Sequence, residues 1–75
     1  MMTERDVMQA IVTLYNGVSD FSEYVHCNDV IDNYRTEFPE NPLTDMLNRY
    51  VEACEEYDQR TIDRVAMYAM DWLND

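Results

Sequence analysis

Seventy-five residues carry sixteen acidic side chains against five arginines and no lysine, a formal charge of −11. A surface this one-sided repels nucleic acid and anionic membrane and attracts basic protein surfaces at a distance. The length allows one domain, and an apolar content of 47%, with six tyrosines, two phenylalanines and Trp72, excludes a disordered acidic tail.

Residues 3 to 17 predict an amphipathic helix. Thr3 stands at the N-cap with Asp6 at the third helical position, as in a capping box. Val7, Ile11, Leu14, Tyr15 and Val18 follow at spacings of three and four, and Gly17 supplies a left-handed stop. Residues 18 to 27 admit two structures. Ser19 could cap a short turn of helix carrying Phe21, Tyr24 and Val25, or the segment could be an irregular connection packed by its aromatics.

A further helix is expected over 28 to 37, capped by Asn28, with Asp29 and Asp32 in the first turn, where the helix dipole favours acid. Its apolar face is Val30, Ile31, Tyr34 and Phe38, and Pro39 ends it by disfavouring helical geometry at the residue before. The next start signal is the strongest in the chain: Asn41 as cap, Pro42 at the first helical position, Asp45 in the first turn. Leu43, Met46, Leu47, Tyr50, Val51, Cys54 and Tyr57 then mark one face. Ile62, Val65, Ala66, Ala69, Trp72 and Leu73 continue the apolar pattern, and no glycine or proline interrupts residues 43 to 75. One helix from 42 to 74 fits that register. A compact domain needs the chain to turn back, which favours a break at Asp58. No run alternates with period two. The expected fold is all-α, a small bundle of three to five helices without a sheet, forming a single acidic domain over residues 1 to 75.

Motifs for chemistry are sparse. His26, Cys27 and Cys54 are the soft metal ligands, without the paired spacings of a zinc site, so neither metal nor cofactor is expected. Cys54 is expected in the core and Cys27 at a helix entry, buried for packing. His26 and Cys27 are neighbours in sequence, which does not make a catalytic pair. Size and acidity are those of an acyl carrier protein, but that family carries its prosthetic arm on serine in an Asp-Ser-Leu setting. Ser19 and Ser22 stand in Val-Ser-Asp and Phe-Ser-Glu, which excludes it. The expectation is a protein that is not an enzyme. Residues 1 to 20 carry Glu4, Arg5, Asp6 and Asp20 without a long apolar run, so no secretory leader is expected and the compartment is the cytoplasm, with both thiols reduced.

The charge exceeds what solubility needs, about 2 to 8 for a small domain. On the Pro42 helix Asp45, Glu52, Glu55 and Glu56 recur at three, four and seven residues, and Asp63 follows if that helix continues. Asp29, Asp32 and Glu37 form a second row on the preceding helix, with Glu40 just beyond. Rows of carboxylates on two adjacent helices approximate the charge track of a phosphate backbone. The expected partner is therefore the basic surface of a nucleic-acid-binding protein: a nuclease, a restriction or CRISPR-type defence complex, or a DNA-binding regulator. In character this resembles the small acidic inhibitors, many encoded by phages, that mimic nucleic acid, a group without a common fold.

The alternative is a regulator or adaptor working through apolar surface. Six methionines are many for this length: Met1, Met2, Met8, Met46, Met67 and Met70. Met67, Tyr68 and Met70 fall partly off the apolar face of the last helix, as do Met8 and Val12 on the first. A homodimer interface is the expected use of that surface.

Overall fold

The N-cap chemistry written into the sequence sets four helices in a computed structural model that describes residues 3–75; Met1 and Met2 lie outside the described residues. Helix α1 (Glu4–Asn16) opens on the expected capping box, the Thr3 hydroxyl accepting from the Asp6 N–H and the Asp6 carboxylate accepting from the Thr3 N–H at 3.0 Å. Gly17 closes it at φ 94°, ψ 135°, a positive φ as expected but with ψ outside the left-handed helical region.

Helix α2 (Phe21–Glu37) corrects the sequence expectation of a separate start at Asn28. It begins seven residues earlier, capped by Asp20 rather than Ser19, with the Asp20 carboxylate accepting from the Ser22 N–H at 2.9 Å. Asn28 sits mid-helix, its amide donating to the Tyr24 carbonyl, so the side chain that would have capped a new helix bonds back into the existing one. Cys27 is buried inside this helix, not at a helix entry.

Helix α3 (Pro42–Glu56) starts as predicted, with Asn41 Oδ1 accepting from the Leu43 N–H and Pro42 in the first turn. It ends at Tyr57, the one non-glycine residue with positive φ (58°) among those described. Asp58 then caps α4 (Gln59–Asn74), accepting from the Thr61 N–H and hydroxyl. The chain therefore turns at 57 and 58, and the continuous helix over 42 to 74 does not form. No strand occurs among the described residues, and the fold is all-α.

The helices follow one another around the bundle. Helix α1 packs against both α2 and α4, α3 packs against α4, and the α2–α3 seam is the leanest of these four. Val7, Met8 and Ile11 of α1, Ile31 and Tyr34 of α2, Leu47 and Tyr50 of α3, and Ala66 and Ala69 of α4 meet in the core. Met8 is 1% exposed, which removes it from the surface methionines expected from the pattern. Across the lean seam, the buried Thr44 hydroxyl donates to the Phe38 carbonyl and the Arg35 guanidinium to Asn48 Oδ1. Cys54 and Tyr57 are exposed, Tyr57 to 90%, against the expectation of core positions. Cys54 lies in the last turn of α3 and Tyr57 just past it, where Leu14, Tyr15, Tyr24 and Cys54 line an open groove at one end of the bundle.

Candidate functional site

Every carboxylate except Asp63 is exposed, and they divide by what holds them. Asp6, Asp20 and Asp58 cap helices. Asp32 pairs with Arg35 at 3.0 Å, the one ion pair among the described residues. Asp63 accepts from the Tyr15 hydroxyl and the Gln59 amide, both at 2.8 Å. The predicted site residues Asp29, Glu37, Glu40, Asp45, Glu52, Glu55 and Glu56 make no side-chain hydrogen bond to another described residue.

At about 100° per residue, Asp45, Glu52 and Glu55 fall with Asn48 within about 80° on α3, opposite buried Leu47, Tyr50 and Ala53. Glu56 lies just beyond, toward α4, where Arg49, Glu52 and Glu56 line a shallow groove with Asp58. The first row is thus one outward stripe about 16 Å long. Asp63 is not part of it. The turn at Tyr57 puts Asp63 on a different helix, facing α1, and its two hydrogen bonds fix it there. The second row is also divided. Asp29 and Asp32 point outward from α2, whereas Glu37 falls about 140° from Asp32, on the side of His26 and Val30 that borders α1. Arg35, joined to Asp32 and Asn48, stands in the seam between the two rows, and Glu40 is exposed in the connection from α2 to α3.

The charge is unevenly shared. From Phe21 to Glu56 nine carboxylates accompany Arg35 and Arg49, a net −7. Helices α1 and α4 together hold four carboxylates and three arginines, a net −1. Asp20, Asp58 and Asp75 at the helix ends supply the rest of the −11.

Hydrogen bonds to Thr3 hold the Asp6 carboxyl below its ordinary value of 3.8, bonds to Thr61 do the same for Asp58, and bonds from Gln59 and then Tyr15 for Asp63. A carboxyl with a depressed folded pKa stabilises the fold above its unfolded value, and that contribution is lost as pH falls through the folded one. Helical circular dichroism should therefore hold from neutral pH to about 5 and decline below 3.8. Asp58→Asn, which caps without titrating, should lose less over that range; acid curves that superimpose would refute the assignment.

Cys27 and His26 line one groove of about 180 Å³ with Glu23 and residues of α1. Burial, then the nearby Glu23 charge, pushes the Cys27 thiol up, which favours the unreactive protonated form. Among the described residues no three His, Cys, Asp or Glu side chains could hold a metal ion, and no helix is long and apolar enough to cross a membrane.

No known protein family matches the chain, and no curated protein or solved structure is significantly similar to it.

Proposed function

We propose that this is a non-enzymatic acidic binding protein that inhibits a nucleic-acid-binding protein by occupying its basic surface. One observation carries the proposal: Asp45, Glu52, Glu55 and Glu56 form an outward row on α3 with no hydrogen-bonding task inside the molecule. Carboxylates on an ordinary solvated surface are interspersed with cations; here Arg49 is the one cation on that helix. Duplex DNA presents about one charge per 1.7 Å, so the row copies a phosphate track sparsely, and Asp29, Asp32 and Glu40 extend it across the seam. Arginines and lysines of a nucleic-acid channel would pair with these groups, the long-range field chiefly speeding association. Such a target places the protein in the cytoplasm. The half-exposed Met67 and Tyr68 favour a second reading, an apolar-surface regulator.

Capture from a nuclease-treated bacterial lysate on the immobilised protein, eluted in salt steps, separates the two. A nucleic-acid-binding protein released at moderate salt and displaced by competing duplex DNA is the expected result. A partner that survives high salt and ignores DNA would overturn the proposal in favour of the apolar surface.

A further inference from the structure

The outward face of α4 has a self-complementary pattern. Arg60, Arg64, Met67, Tyr68 and Asp71 fall within about 100° of one another, opposite the buried Val65, Ala66 and Ala69, and Asp75 follows as the C-cap residue just beyond the last turn. All six are exposed, Met67 by 50% and Tyr68 by 52%. Read along the helix, the stripe is two cations, two large apolar side chains and two anions, at successive intervals of four, three, one, three and four residues. The order is a palindrome in position and an antisymmetric series in charge.

Within one chain the arrangement is unfavourable. Arg60 and Arg64 are like charges four residues apart, as are Asp71 and Asp75. The arginines stand toward the positive N-terminal end of the helix dipole and the aspartates toward the negative end, the reverse of the favoured order. Neither arginine forms an ion pair among the described residues, although Arg60 contributes to lowering the Asp58 pKa.

We propose that α4 is the interface of a homodimer, pairing antiparallel with α4 of a second copy about a two-fold axis between Met67 and Tyr68. Every member of the stripe then meets its complement: Met67 faces Tyr68, Arg64 faces Asp71, and Arg60 faces Asp75 of the partner subunit. This is the isologous geometry a two-fold requires. Arg64 and Asp71 lie only about 5 Å along the helix from the axis, so they meet at either common crossing angle. Arg60 and Asp75, about 11 Å away, meet only at the shallow one. Charge also selects this face. Two copies approaching through α2 and α3 would oppose net charges of −7, whereas α1 and α4 carry −1. The inference does not rest on the proposed function, since the stripe shares no residue with the acidic row.

A charge-swap series in the full chain tests it by sedimentation equilibrium, with circular dichroism to verify folding. The wild type should self-associate in the micromolar range expected of a small interface. Arg64→Asp and Asp71→Arg each oppose like charges twice across the axis and should each weaken association about tenfold or more. Mixed in equal amounts, the two variants oppose unlike charges twice, and the mixture should regain the two-chain mass. Arg64→Gln and Asp71→Asn, which remove charge without reversing it, should each weaken association by a smaller factor and cover a reversal variant that misfolds. A wild type that remains monomeric well above micromolar concentration would overturn the inference. So would variants that associate like the wild type, or a mixture of folded variants that stays monomeric. Duplex-DNA displacement of a captured target is a separate readout, so failure of the dimer leaves the proposed function to its own test.

Discussion

Replacing Leu47 with alanine should lower the free energy of unfolding by about 3 kcal/mol. Leu47 is wholly buried at the centre of α3, among the largest fully enclosed side chains, and α3 otherwise adds only Tyr50, Ala53 and Thr44 to the buried interior. Truncation removes the apolar transfer energy and leaves a cavity that rigid neighbouring helices fill only in part. A domain of this length has a total stability of roughly 4–11 kcal/mol, so the loss is a large share of it. The measurement is urea unfolding followed by Trp72 fluorescence at fixed protein concentration, because self-association would add to apparent stability. The midpoint should fall with little change in slope. The exposed control Glu55→Ala should stay within about 0.5 kcal/mol. A Leu47→Ala loss under about 1 kcal/mol would mean that α3 is not docked as described.

Neutralising the α3 row should have the largest effect on binding. The combination Asp45→Asn, Glu52→Gln, Glu55→Gln and Glu56→Gln removes four charges from exposed positions with no fold-supporting bond. Exposed pairs contribute about 0.2–1 kcal/mol each, so together they should weaken binding to the captured target about a hundredfold, mainly through slower association. Glu4→Gln with Glu23→Gln, outside the row, should cost less per charge removed. Equal losses per charge would mean that net charge, not the row, governs recognition. The same four changes should raise the melting temperature, as added salt should for the wild type, because both reduce self-repulsion in the compact state.

The helix starts at Thr3, Asn41 and Asp58 were legible in the sequence because each is a local device: a side-chain oxygen within three residues of the N–H it accepts from. The start of α2 was not. Phe21, Tyr24 and Val25 lie largely on its exposed side, so the stretch lacks an inward apolar period, and Asn28–Asp29 looks like a cap until the Tyr24 carbonyl is seen to occupy the asparagine amide. Cys54 continued the apolar register of α3, but the register says nothing about the open bundle end beside it. The exposure of the acidic row was legible, since acids falling between apolar positions face outward. The cation between the rows was not, because Arg35 reaches Asn48 across thirteen residues of chain. Asp63 left the row for the same reason: the Tyr15 hydroxyl that holds it is forty-eight residues away.

The unequal sharing of charge between the two halves of the bundle makes the molecule an electric dipole as well as an anion. A net charge alone only pulls; a dipole in a non-uniform field also feels a torque. A cationic surface within about a Debye length, some 8 Å at physiological salt, will therefore turn the protein until α2 and α3 lead and α1 and α4 trail. Docking normally slows association because most collisions are misoriented. Here the orientational search is narrowed before contact, and the face presented includes the α3 row, whose carboxylates have no other work.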